Sequence, residues 1–201
     1  MQGNYSNDGK TNRGTKRIFI AIKVDPGDIL AKAIDSLKFA FTGNAVRWTD
    51  KDNIHITLSF LGDTDTKKIP GIISMLEKVC SASCCFELTL RSTGLFRDIN
   101  DPRILWIGID SSENLKKLNR LITTGLEEAG FPIDNRSFSP HITIGRVKRN
   151  AATNKEIFSS FLDNYHNTIF RTMNVSEIIL YESVLLPTGP LYKPIRIISL
   201  S

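Results

Sequence analysis

Two stretches decide how this chain is read: His55-Ile-Thr-Leu-Ser-Phe-Leu-Gly62 and His141-Ile-Thr-Ile-Gly-Arg146. Both are rich in β-branched and aliphatic residues, and each reads as a strand. Successive side chains of a strand point to opposite faces. His55 and Thr57 therefore share one face, while Ile56, Leu58 and Phe60 take the other. His141 and Thr143 likewise share a face opposite Ile142 and Ile144. Each strand anchors itself through its aliphatic face and presents an imidazole and a hydroxyl about 7 Å apart, two rises of roughly 3.3 Å. The echo takes two of the chain's three histidines.

Facing each other across a groove, two such strands would set two imidazoles and two hydroxyls around one cavity. That set suits phosphodiester chemistry. In-line displacement at phosphorus needs a base on the attacking oxygen and an acid on the leaving oxygen, on opposite sides. Imidazoles, with an unperturbed pKa of about 6.5, can supply both roles at neutral pH. Two threonine hydroxyls can donate to the non-bridging oxygens. Neither role calls for a metal or another cofactor, and the sequence offers no evident carboxylate cluster to hold one. His166 lacks a threonine partner and lies at the end of a helical stretch, where it reads as a C-terminal cap.

Outward from the two histidine strands, residues 17–24 (RIFIAIKV) read as a first strand. Asp25-Pro26 then supplies an N-cap and a first-turn proline for a helix carrying Leu30, Ala33, Ile34, Leu37 and Phe41, stopped by Gly43. Residues 46–48 are a short extended piece before the first histidine strand, which Gly62 ends. A second helix follows with Ile69, Ile72, Ile73, Leu76, Val79 and Cys80, its start limited by Pro70. Residues 85–96 and 103–110 form a hairpin. A third helix, with Leu115, Leu118, Leu121, Ile122 and Leu126, stops at Gly130 and Pro132. After the second histidine strand, Thr153 and Glu156 form a capping box for a fourth helix, and three strands finish the chain. The order βαββαββαβαβββ, with its hairpins, predicts an α+β fold with antiparallel sheets rather than a doubly wound parallel one.

Composition agrees. The chain has 201 residues, 41% hydrophobic and 23% charged, which excludes a largely disordered, collagen-like or coiled-coil chain. No apolar run approaches the roughly 18 residues of a membrane span. Residues 1–16 are polar and read as a disordered leader before a single domain over 17–201; with no apolar core they are not a secretory signal. Gly3 and Gly9-Lys10-Thr11 within them miss the P-loop spacing by one residue. The net charge of +5 permits a polyanionic ligand without demanding one, and the leader carries two of the five. Cys80, Cys84 and Cys85, odd in number, suggest free thiols in a reducing compartment, in a buried or half-buried structural cluster. A cytoplasmic monomer is expected.

These residues also carry a family resemblance. Residues 17–22, Arg47-Trp48, both histidine signatures, Leu105-Trp106-Ile-Gly, Leu180-Tyr-Glu-Ser183 and Gly189-Pro-Leu-Tyr192 occur in the order seen in the two-histidine (2H) phosphoesterases. Within that group the chain resembles the RNA 2′,3′-cyclic phosphodiesterases, also called 2′-5′ RNA ligases. The polar leader and Pro70 depart from the pattern, and neither touches the signatures. The resemblance implies a bilobal fold in which two antiparallel sheets form a V-shaped central cleft with helices outside. It implies metal-independent, cofactor-free opening of 2′,3′-cyclic phosphate at RNA ends to a 2′-phosphate, with 2′-5′ joining of ends as a secondary reaction. It implies that His55 is the proton donor to the leaving O3′, that His141 is the proton acceptor from water, and that Thr57 and Thr143 bind the phosphate.

Three further residues are candidates for substrate contact. Strict alternation from His141 puts Arg146 on the wrong face, unless Gly145 bends the strand. Phe19 reads as core packing, with base stacking as the functional alternative. Tyr192 reads as a packed aromatic after the Gly189-Pro190 turn, or as cleft lining. Lys148 and Arg149 extend the basic run, either to steer a phosphate backbone or as a solvated surface. Two other functions stay open: a phosphoesterase for a small nucleotide cyclic phosphate, and a catalytically idle RNA-binding module on the same fold.

Overall fold

A computed structural model describes residues 14–41, 45–132, 137–149, 154–187 and 189–201. Residues 1–13, Gly43 and Thr153 lie outside the described residues. The strands are β1 (Thr15–Lys23), β2 (Val46–Trp48), β3 (His55–Asp65), β4 (Phe86–Phe96), β5 (Ile104–Ile109), β6 (His141–Val147), β7 (Ile169–Val175), β8 (Glu177–Leu186) and β9 (Gly189–Ser199). The helices are α1 (Gly27–Ala40), α2 (Ile69–Ser81), α3 (Glu113–Glu128) and α4 (Lys155–Tyr165). The element order is the one the sequence predicts.

All strand pairings are antiparallel, in the order β7-β4-β5-β6-β3-β1-β8-β9, with β2 added to the free end of β6. The two sheets expected from the resemblance are two wings of one curled sheet. They meet only where Ile56 of β3 pairs with Ile142 of β6. Helices α2 and α3 pack together, on β9 and β3, and helices α1 and α4 lie against β7 and β4. Each helix buries one stripe: Leu30, Ala33, Ile34 and Leu37 in α1, Ile69, Ile72, Leu76 and Cys80 in α2. The same spacing buries Leu115, Leu118, Ile122 and Leu126 of α3, and Phe158 and Phe161 of α4. A large apolar core fills the helix side of the sheet. On the opposite face, Phe19, Ala21, Ile179 and Tyr181 form a separate small cluster with Tyr192 packed on it. None of the described helices is long and apolar enough to cross a membrane.

Several local expectations are corrected. β1 begins at Thr15, and Lys16 pairs with Glu182 at 2.8 Å, so the folded body reaches into the segment read as a leader. Asp25 is one residue too early for the α1 cap; Pro26 holds that position, and the Asp25 carboxylate accepts instead from the Gly27 N–H at 3.2 Å. The α4 cap is Asn154, whose side-chain oxygen accepts from the Glu156 N–H at 2.9 Å. β3 continues past Gly62 to Asp65. Cys80 is buried, its thiol pushed up to about 11 by burial, whereas Cys84 and Cys85 are exposed and form no buried cluster.

Candidate active site

The Ile56/Ile142 joint sets the geometry. Both isoleucines are fully buried on the core side. Extending the antiparallel register one residue each way puts His55 across from Thr143 and Thr57 across from His141. All four side chains occupy the face opposite the isoleucines, where the wings diverge. The site is thus pseudo-twofold about the joint, each histidine facing the other strand's threonine.

The symmetry extends to the backbone around each imidazole. His55 Nδ1 lies 2.6 Å from the Asn53 carbonyl oxygen, and His141 Nδ1 lies 2.8 Å from that of Ser139. A carbonyl only accepts, so each Nδ1 carries the proton and donates it. That fixes the tautomer and leaves Nε2 of both rings as the atom that exchanges protons. The Asn53 side-chain amide in turn donates to the Pro190 carbonyl at 3.0 Å, tying the support of His55 to the start of β9.

Each strand then breaks its alternation at the same place. In β3, Ala21 pairs with Thr57 and Ile20 with Ser59, so Leu58 is an extra, bulged residue. In β6, Trp106 pairs with Thr143 and Leu105 with Gly145, so Ile144 is bulged. The freed carbonyls find partners: Asn119 of α3 donates to Leu58 at 2.8 Å, and the Thr49 N–H donates to Ile144 at 3.0 Å. Past each bulge the phase reverses. Arg146 therefore comes round to the cleft face, opposite Ile104, as the alternative through a bent strand anticipated. Phe60, expected on the core side, comes round at the matching position of β3 and is 54% exposed. Sequence reasoning missed Phe60; its signal was the equal spacing of Phe60 from His55 and of Arg146 from His141.

Aromatic rings hold both imidazoles. Phe19 and Tyr192 pack on His55 with ring centroids 5.1 and 5.2 Å away. Phe96 stands edge-on to His141 at 4.7 Å and itself packs on Trp106. Phe19 is 1% exposed, walled in by His55, Phe60, Tyr181 and Tyr192. It is a floor for the site and offers no face to a base. The exposed aromatic on this face is Phe60, stacked on Phe19 at 5.8 Å and with the Arg17 guanidinium over its ring at 5.2 Å. His166 is the C-cap of α4, remote in the fold from the joint, and Lys148 and Arg149 are exposed just past β6.

Burial lowers the pKa of both histidines from the ordinary 6.5, against the backbone hydrogen bonds, which raise it. The Arg146 guanidinium lowers both further, and His141 adds to the lowering at His55. Both shifts favour the neutral imidazoles, and an anion between them would favour their charged forms. No group of three or more potential metal-ligating side chains occurs among the described residues.

Residues 26–184 match the sequence profile of the 2'-5' RNA ligase superfamily. A protein of Archaeoglobus fulgidus named RNA 2',3'-cyclic phosphodiesterase is 33% identical over 181 residues, covering 90% of this chain and 98% of that protein. A Thermotoga maritima protein of the same name is 32% identical, covering 88% of this chain and 91% of its own length. Among solved structures, Escherichia coli LigT in its apo form superposes with a TM-score of 0.72 at 25% identity, covering 94% of this chain and 99% of LigT. TT0787 of Thermus thermophilus, 24% identical, shares the fold with a TM-score of 0.75 over 92% of this chain and 97% of its own.

Proposed function

The chain belongs to the 2'-5' RNA ligase superfamily, and on that premise we propose that it opens 2′,3′-cyclic phosphate at RNA ends by acid–base catalysis from His55 and His141. The observation that carries the reading is the single-pair joint, whose register brings His55 and His141 to one face of adjacent strands with a threonine across from each.

The cyclic phosphate lies between the two strands, its non-bridging oxygens accepting from the Thr57 and Thr143 hydroxyls and from Arg146. Nε2 of His141 takes a proton from water as the water oxygen attacks phosphorus opposite O3′. The P–O3′ bond breaks, and Nε2–H of His55 gives its proton to O3′. The products are a 2′-phosphate and a free 3′-hydroxyl. His141 leaves the cycle charged and His55 neutral, and exchange with solvent resets both. A 5′-hydroxyl in place of water gives a 2′-5′ linkage by the same steps. The terminal base has Phe60 to pack on, and Tyr192 closes the site over His55.

An oligonucleotide ending in 2′,3′-cyclic phosphate, incubated in EDTA, tests the reading. The expected product carries its phosphate on O2′, and His55→Ala and His141→Ala each lose at least about 10²-fold in rate. A 3′-phosphate product, dependence on metal, or full activity in both variants would overturn it. Salt-sensitive RNA binding with no turnover would mark the idle-module alternative.

A further inference from the structure

Three arginines gather on the cleft face from three strands: Arg17, Arg47 and Arg146. The β2–β6 register sets Arg47 directly opposite Arg146, on the same face. Directly opposed side chains have Cβ atoms about 4.5–5.5 Å apart, and like charges so placed destabilise a sheet. Five other arginines carry a carboxylate partner: Arg91 has Asp110, Arg97 and Arg103 share Asp101, Arg171 has Asp25 and Arg196 has Glu77. Among the described residues, no carboxylate lies within ion-pair distance of Arg47, Arg146 or Arg17. A cost that no described carboxylate offsets points to a ligand that does.

One anion does not need both opposed arginines. Arg146 comes round to the face of His141 and Thr143 on the same strand, which assigns it to the reacting phosphate. Arg47 is aimed elsewhere. Its Nη2 reaches the opposite wing at Gly189, where a Cβ would lie only 3.0 Å away and where φ is +146°. A glycine thus makes room for the guanidinium beside the start of β9. Tyr192 follows three residues on. Burial raises the pKa of its hydroxyl, against the pull of Arg146, Arg17 and Arg47, so it stays protonated as a donor within a positive field.

We infer that Arg47, seated against Gly189 with Tyr192 beside it, binds a second phosphate, the one on the 5′ side of the terminal nucleotide. The inference rests on the cyclic phosphodiesterase reading and narrows its substrate class. The site is built for an RNA strand end or a 5′-phosphorylated nucleotide, in preference to a bare nucleoside 2′,3′-cyclic phosphate.

The test compares kcat/KM on four probes: adenosine 2′,3′-cyclic phosphate, its 5′-phosphorylated form, the dinucleotide ending in cyclic phosphate, and that dinucleotide with an uncharged methylphosphonate linkage. The charged probes are expected to exceed the bare nucleotide by about ten-fold or more, and the methylphosphonate to lose that advantage. Arg47→Gln should bring the charged and uncharged probes together, and Arg47→Lys should restore part of the difference. The better of the two charged probes identifies the source of the phosphate, monoester or diester. Equal rates on all four probes in the unaltered protein, or an undiminished preference in Arg47→Gln, would overturn the inference while leaving the chemistry standing. Failure of the unaltered protein to open any probe would instead overturn the phosphodiesterase reading.

Discussion

The Asn119 side-chain amide of α3 donates to the Leu58 carbonyl at 2.8 Å, across the core side of the sheet. Leu58 is the bulged residue that separates Thr57 from Phe60, so its carbonyl has lost its ladder partner. A buried acceptor without a donor is costly. Asn119 is the one polar residue among the buried positions of α3, and it satisfies that acceptor. Its counterpart on the other wing is the Thr49 N–H on Ile144. The two histidine strands are thus kinked at equivalent points, one kink held by a side chain and the other by backbone.

Asn119→Leu is therefore expected to destabilise the protein by about 1–3 kcal/mol, the cost of leaving a buried carbonyl unpaired, even though leucine adds apolar surface. Denaturant unfolding measures this. Because the bulge aims Thr57, kcat on a cyclic phosphate should also fall in protein that remains folded. Unchanged stability together with unchanged kcat would show that the bulge does not depend on Asn119.

The element order, both histidine faces and the apolar periodicity of all four helices were legible in the sequence. Period-two and period-3.6 patterns report local burial, and both histidine strands alternate in this way from their first residue. The bulges were not legible, because a bulge is defined by a partner strand and HITLSF reads as unbroken alternation on its own. That is why Phe60 was assigned to the core and Arg146 seemed to need a bend at Gly145. The joining of the wings at a single residue pair was equally hidden, since Ile56 and Ile142 look like any other buried strand residues. Asn154 caps α4 because its side chain reaches the Glu156 N–H, a choice between adjacent cap formers that pattern alone does not make.

In the proposed mechanism the two histidines act on one transition state, so their removal should not be additive. Each single alanine variant is expected to lose about 10²–10⁴-fold in kcat. The double variant should lose much less than the product of the two losses, because acid and base each assist a displacement that the other has already made concerted. Single-turnover rates on one oligonucleotide substrate measure all three. Fully multiplicative losses would indicate two independent steps in place of one in-line displacement.

The pH profile of kcat/KM reports the free enzyme. Both histidines titrate below their ordinary value there, so the bell should lie on the acid side of 6.5. The Arg146 charge contributes to that lowering at both sites. Arg146→Gln removes a positive neighbour, both imidazolium forms become easier to make, and both limbs should move to higher pH. The maximum rate falls as well, with the loss of a donor to the phosphate. A profile that stays in place or moves to lower pH would show that Arg146 does not act on the pair.

Trp106 reaches the site through packing alone. Its ring lies over Gly94 so closely that a Cβ there would sit 2.0 Å from Cζ2. The same ring packs on Phe96 at 5.7 Å, and Phe96 stands edge-on to His141 at 4.7 Å. Gly94→Ala must therefore push the indole off the strand, and the neighbouring Phe96 cannot keep its place. Overpacking of this kind typically costs about 1–3 kcal/mol. The shift passes on to His141, while Phe19 and Tyr192 continue to hold His55. The expected outcome is a change in tryptophan emission, a moderate loss of stability, and a fall in kcat with the backbone anchor from His141 to Ser139 still formed. NMR titration separates the two histidines: the His141 ring resonances should move in Gly94→Ala while those of His55 stay. Equal movement of both would mean that the wings respond as one body and that Phe96 is not the route.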